Sequence, residues 1–288
     1  MKVLFSMLTL LCLAIFFSSC QREVEGTIPD EIVMDSTAIS QLVILDTIYN
    51  SGADTVYKYQ FKYDDKKRVV GELTTVYNEG VSGAGRIQWE RNLNYEYIGS
   101  DTLPYRTVEN PNSVGASKSY NYLFYQNGWI VKDSLTFENN PTDYWVKKYD
   151  QLPGNRCIVS RKQVLGNVTS SGTVNCYVQW VNGNITKEID SLPFLSSYQV
   201  ITHTASYDGK PNPFKRVILP YITPAPNMID PYGVNEFIFP TTNNIVARNY
   251  DGLVTLLEYT YHNNGLPKSA KVNGDGTFYK YVYFYTRL

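Results

Sequence analysis

Cysteine, histidine and paired carboxylates are the side chains from which most hydrolytic sites are built, and here they are thinly spread. The 288-residue chain has four cysteines, Cys12, Cys20, Cys157 and Cys176, and two histidines, His203 and His262. Nucleophilic catalysis needs a base beside a serine or cysteine. His203 lies in an alternating run between Thr202 and Thr204, His262 sits at a turn after Tyr261, and no Gly-x-Ser-x-Gly stretch occurs. Two cysteines and two distant histidines lack the spacing of a zinc site. Asn273-Gly274-Asp275-Gly276 lacks the acid spacing of a calcium loop, and no phosphate-cradling glycine loop is present. No catalytic residue, metal ligand or cofactor is therefore assigned. Two carboxylates could still serve a glycosidase, but with 27 acidic residues such pairs are nearly uninformative. Asp64, Asp150, Asp208 and Asp251 each follow a tyrosine, and that recurrence favours turn capping over a unique catalytic role. A formal charge of −1 leaves no electrostatic footprint for nucleic acid.

The cysteine with the clearest assignment is Cys20. Met1-Lys2 gives a short basic start, Val3 to Phe17 is apolar apart from Ser6 and Thr9, and Ser18-Ser19-Cys20 follows. That order describes a secretory signal. Fifteen helical residues reach about 22 Å, short of a hydrocarbon core near 30 Å. Phe16-Phe17-Ser18-Ser19-Cys20 resembles the lipobox of bacterial lipoproteins, departing from it at Phe17, where that family prefers an aliphatic residue. The resemblance implies cleavage before Cys20 and acylation of its thiol, giving a stable anchor. Loss of Lys2 with residues 1–19 takes the formal charge from −1 to −2. Gln21, with no aspartate there, resembles the sorting signal of enteric lipoproteins, and that resemblance implies the outer membrane; Glu23 and Glu25 leave periplasmic and surface faces both open. Three segments are expected: signal peptide 1–19, lipidated N-terminus and flexible tether 20–40, and a single β-rich domain 41–288.

Cys157 and Cys176 remain, in a compartment where disulfides persist. If Gly166-Asn167 is a two-residue hairpin turn, the two cysteines fall opposite one another. If the loop centres on Ser171-Gly172, they are separate thiols. Both readings stand on sequence alone.

What must position any site is a set of strands marked by tyrosine, of which there are 25 against 12 phenylalanines. Tyr57, Tyr59, Phe61 and Tyr63 alternate with Lys58, Gln60 and Lys62, and Tyr279, Tyr281, Tyr283 and Tyr285 with Lys280, Val282 and Phe284. A period of two places each set on one face of a strand. Aromatic strands run into polar turns at Tyr63-Asp64, Tyr125-Gln126-Asn127-Gly128, Tyr149-Asp150, Trp180-Val181-Asn182-Gly183, Tyr207-Asp208-Gly209 and Tyr261-His262-Asn263-Asn264-Gly265. Asn-Gly and Asp-Gly supply the positive φ of tight turns. The irregular spacing of at least six such units argues against a strict propeller. It predicts an all-β antiparallel meander of about a dozen strands, a curled sheet or open barrel, with a two-sheet sandwich as the alternative. Leu219 to Pro240, with five prolines, reads as a long loop or short helical turn. Tyr57, Tyr59, Tyr63, Tyr279, Tyr281 and Tyr283 are core, or else an aromatic binding surface, since tyrosine keeps a hydroxyl near water or a partner.

Tyr207-Asp208-Gly209-Lys210-Pro211-Asn212-Pro213-Phe214, Asn243-Asn244-Ile245-Val246, and Tyr259-Thr260-Tyr261 with Asn264-Gly265-Leu266-Pro267 occur in that order. With the lipobox, they resemble uncharacterised Bacteroidota lipoproteins built from tyrosine-aspartate-type hairpin repeats. That resemblance implies an envelope protein and carries over no catalytic residue. The function read from the sequence is a non-enzymatic, lipid-anchored binding or structural module, its partners the membrane and a glycan or envelope protein. The alternatives are an envelope glycan hydrolase with unassigned carboxylates and a carrier of an apolar ligand.

Overall fold

The structure, a computed structural model, describes residues 37–47, 54–77, 87–111, 117–126, 129–153, 156–166, 168–169, 174–194, 197–216, 242–250, 252–274 and 277–288. Cys20, the signal segment and the proline-rich stretch up to Pro240 lie outside the described residues.

The chain is β-structure throughout these segments. The first half contributes β1 (Thr37–Asp46), β2 (Asp54–Tyr63), β3 (Val69–Tyr77), β4 (Ile87–Glu96), β5 (Arg106–Pro111), β6 (Ser119–Gln126), β7 (Trp129–Phe137) and β8 (Asn140–Leu152). Then come β9 (Arg156–Leu165), the two-residue β10 (Val168–Thr169), β11 (Val174–Val181), β12 (Asn184–Phe194) and β13 (Ser197–Pro211). A 3-10 turn, Pro213–Arg216, precedes β14 (Asn243–Tyr250), β15 (Leu253–Tyr261), β16 (Pro267–Gly274) and β17 (Thr277–Arg287).

The expected antiparallel meander is present, with more strands than the dozen anticipated. Part of the difference is the β4–β5 hairpin, whose turn at Tyr97–Tyr105 carries Gly99-Ser100-Asp101 and Pro104 in place of the Asn-Gly and Asp-Gly pairs read above. Each strand pairs with the next, β9 passing to β11 with β10 as a short spur. The curl is carried all the way round: β1 is hydrogen-bonded to β2 on one side and to β17 on the other, so the ladder returns to its start. Without β10, sixteen strands each have two neighbours, and none of them is an unpaired edge. β1 begins at Thr37, so the last four residues of the expected tether are strand, and Ile39 is fully buried there.

Alternation assigns the two faces. The register sets Leu42 and Ile44 of β1 between Tyr283 and Tyr281 of β17 and Tyr59 and Tyr57 of β2. These residues, with Phe61, Leu93, Tyr95, Leu257 and Val272, make the main apolar cluster inside the ring. Phe214, from the 3-10 turn after β13, packs into it between Phe61 and Tyr283, with ring centroids at 6.1 and 6.3 Å. A second cluster, Tyr149, Val178 and Ile185 with Trp180 and Ile130, lies farther round the ring.

Candidate functional site

The tyrosines proposed above as a binding stripe all point inward. Tyr59, Tyr279, Tyr281 and Tyr283 are buried and Tyr57 and Tyr63 half-buried, all packed in or against the apolar cluster. They form no exposed aromatic band: the rings meet the aliphatic side chains of β1, and burial of that area drives the packing. Among the described residues, a crevice between Asn212, Phe214, Asn244, Ile245, Tyr259 and Tyr283 offers room for about one water molecule.

A second set of aromatics is organised by topology. Alternation makes β2, β4, β6, β8, β11, β13, β15 and β17 run in one direction. Each carries an inward aromatic in its last few residues or directly after them: Tyr63, Tyr97, Tyr125, Tyr149, Trp180, Tyr207, Tyr261 and Tyr285. Together they ring one end of the barrel. Four share one hydrogen bond, the hydroxyl donating to a carbonyl at the start of the preceding strand. These are Tyr63 to Ile39 (2.6 Å), Tyr97 to Val69 (2.7 Å), Tyr207 to Ile185 (2.5 Å) and Tyr285 to Pro267 (2.7 Å). Sequence reading found the six at polar turns. It missed Tyr97 and Tyr285 as members, though the Tyr95-Glu96-Tyr97 alternation was a usable signal for the first.

The aspartates after Tyr63 and Tyr207 cap their turns. Asp64 accepts from the Lys66 N–H at 3.0 Å and the Arg68 N–H at 2.9 Å, and pairs with the Arg68 guanidinium at 2.6 Å. Desolvation opposes ionisation of Asp64, but Arg68 and the turn amides outweigh it and hold the carboxyl below its ordinary range. Asp208 accepts from the Lys210 and Asn244 N–H groups and from the Tyr261 hydroxyl. Asp251 lies outside the described residues. Burial, ahead of any neighbouring charge, raises the hydroxyl pKa of Tyr125, Tyr207, Tyr261 and Tyr285, and that of Tyr97 to about 12.

Two inward carboxylates are taken up by hydroxyls, while Glu188 stands opposite the buried His203 across the β12–β13 ladder. Glu72 accepts from Thr74 at 3.0 Å and Tyr95 at 3.1 Å, and Asp133 from Tyr149 at 2.5 Å. Glu72 on β3 and Asp133 on β7 are four ladder steps apart, roughly 19 Å along the wall at about 4.8 Å a step. That is beyond the 5–10 Å at which two carboxylates cooperate on a glycosidic bond. His203 and His262 pack edge-on against Tyr250 and Tyr285, with centroids at 4.4 and 5.9 Å. No group of three potential metal-ligating side chains converges among the described residues.

The cysteines of β9 and β11 lie on neighbouring strands. Leu165 pairs with Val168, as a Gly166-Asn167 turn requires, but the register then slips by two. Cys157 comes opposite Val178 and Cys176 opposite Val159, a diagonal arrangement of the backbone. Their side chains lie outside the described residues.

The outward face is mixed, with exposed Phe124, Val200, Val254, Leu256 and Phe278 standing among charged side chains. It carries Lys58 and Lys62 on β2, Lys132 and Lys148 on β7 and β8, Lys162 on β9, and Lys271 and Lys280 on β16 and β17.

This is an all-β protein whose meander curls into a barrel. Two solved structures share that fold, both of porin-like proteins. The one from Bacteroides uniformis ATCC 8492 is 13% identical, with a TM-score of 0.53 over 87% of this chain and 98% of its own. The one from Bacteroides vulgatus ATCC 8482 is 10% identical, with a TM-score of 0.50 over 88% and 100%. Residues 1–105 match the model of a family described as Family of unknown function (DUF3836). No curated protein matches the chain.

Proposed function

We propose that the protein is a lipid-anchored module of the bacterial cell envelope, held at the outer membrane through Cys20. It acts by binding or as a structural part, without catalysis. The observation that carries this reading is the outward face. A membrane-spanning barrel turns an apolar band about 25 Å tall toward lipid and keeps polar groups inside. Here lysines recur on outward positions while a cluster of tyrosine and aliphatic side chains packs the interior beside β1. Lysine at mid-bilayer on a barrel wall costs about 2–4 kcal/mol, so a wall with several of them belongs in water. The barrel then needs another hold on the membrane, and an acylated Cys20 supplies it. The hydroxyl-bonded interior carboxylates support a non-catalytic role.

The test is expression in a bacterium with a lipoprotein pathway, followed by mass spectrometry of the N-terminal peptide. The expected mass is that of a chain starting at Cys20 with acyl groups attached, and Cys20→Ala should move the protein from the membrane to the soluble fraction. An unmodified Cys20, or a Cys20→Ala chain that stays in the membrane, would overturn the anchor.

A further inference from the structure

We infer that the outward face of β7–β9 is a docking surface for a polyanionic glycan chain. On this face Lys132 of β7 stands directly opposite Lys148 of β8. Ser160 of β9 continues the rung, and Lys162, two residues along β9, lies diagonally beside Lys148. Like charges directly opposite in an antiparallel ladder repel at about 5 Å and destabilise the pair. The comparable rung of Lys271 and Lys280 has Glu258 opposite Lys271. The Lys132–Lys148 rung has Phe124 on one side and Ser160 on the other. The ion pairs found among the described residues, Arg68–Asp64, Arg91–Glu109 and Arg106–Glu96, include none of these lysines. The nearest acid along the strand is Asp150, two residues beyond Lys148 on the same face.

The aromatic flank gives the partner its second property. Phe124 is 46% exposed, a large apolar ring left in water on a strand wall. Lys132 Nζ lies 4.8 Å from its centroid, which orients the ammonium across the ring. A cation triad beside an exposed aromatic ring matches a sugar chain carrying carboxylate or phosphate groups: the lysines neutralise the anions and the exposed part of the ring packs against a pyranose. An acidic peptide fits less well: it offers the ring no pyranose, and strand addition, the peptide mode suited to a β-wall, needs a free sheet edge that the sixteen-strand circuit lacks. The surface does not depend on the fate of Cys20.

The test is binding of the chain from Gln21 to Leu288 to immobilised polygalacturonate, with neutral dextran as the reference. Retention on polygalacturonate that weakens as salt rises, and none on dextran, is expected. The triple variant Lys132→Gln, Lys148→Gln, Lys162→Gln should bind at least about tenfold more weakly, with its circular dichroism unchanged. Phe124→Ser should weaken binding several-fold at full charge. Lys58→Gln with Lys62→Gln, on the β2 wall, should leave it within about twofold. A wild-type chain that ignores polygalacturonate would overturn the inference, and so would a β2 variant that loses as much binding as the β7–β9 triple variant.

Discussion

At the residue scale, the tyrosine excess has two separate uses, one of area and one of hydrogen bonding. The rings of Tyr59, Tyr281 and Tyr283 fill the interior beside β1, while the hydroxyls of Tyr63, Tyr97, Tyr207 and Tyr285 tie strand ends to the start of the strand before. Phenylalanine would supply the area but not the tie. Tyr63→Phe and Tyr207→Phe should each lose about 1 kcal/mol, the net value of one such bond, read from urea midpoints at unchanged slope. A loss near zero would mean water satisfies those carbonyls equally well. The raised hydroxyl pKa values have a pH consequence. A tyrosine whose folded pKa exceeds its unfolded value of about 10 adds stability that is whole below pH 10 and fades as pH rises through the folded value. For Tyr97, at about 12, the window is pH 10 to 12. The tyrosinate absorbance that Tyr97→Phe removes should therefore rise together with loss of the fold in that window; its rise near pH 10 with the fold intact would contradict the burial argument. At the cysteines, diagonal neighbours on adjacent strands sit about 7–8 Å apart, wider than the usual disulfide span. Thiol titration of the denatured chain from Gln21 should find both Cys157 and Cys176 free; one disulfide per chain would show that the strands shift to meet it.

At the scale of the element, the hairpin turn explains both what could be read in the sequence and what could not. Where a strand-ending aromatic is followed by Asn-Gly or Asp-Gly, chemistry and geometry coincide. Asn182 and Gly183 both take positive φ, at 53° and 79°, as a tight β11–β12 turn demands. Gly183 also holds the return of the long β13–β14 connection, its carbonyl accepting from the Thr242 N–H at 3.1 Å. A Cβ at Gly183 would come within 2.3 Å of Thr242 Oγ1. Gly183→Ala should thus destabilise by more than about 1 kcal/mol, combining backbone strain with that clash, measured by thermal or urea unfolding. A neutral effect would mean the turn can be rebuilt freely. The alternation at Tyr57–Tyr63 and Tyr279–Tyr285 was legible because side-chain direction is a local property of a strand. The β4–β5 turn was missed because its residues, with Gly99 at positive φ, Asp101 and Pro104, make a longer reversal than the two-residue Asn-Gly or Asp-Gly turn. The two-residue slip between β9 and β11 was not legible either, since register depends on the loop between them and not on the strands themselves.

At the scale of the whole molecule, the decisive features are joining and sidedness. β1 and β17 pair although they lie at opposite ends of the described chain, and no local periodicity announces such a contact. Which face of each strand is wet was also hidden, because lysine and tyrosine alternate in the stripes and either face of a barrel can be the polar one. In those stripes the structure resolves it: Tyr57, Tyr59, Tyr279, Tyr281 and Tyr283 lie within, Lys58, Lys62 and Lys280 without. The candidate site was correspondingly half legible. The tyrosines singled out are real landmarks of the fold, but they are packing, and the exposed lysine rung at Lys132 and Lys148 became visible only once β7 and β8 were placed in register. On the proposed reading the outward lysines keep this wall in water, whereas the wall of a membrane-spanning pore faces lipid. The most direct measurement is to make the chain from Gln21 to Leu288, without the lipid-bearing cysteine, and run it on gel filtration in detergent-free buffer with circular dichroism of the peak. The account predicts a soluble, β-rich species that also leaves planar bilayers without conductance. A chain that aggregates unless detergent is supplied, or that inserts and conducts, would contradict it.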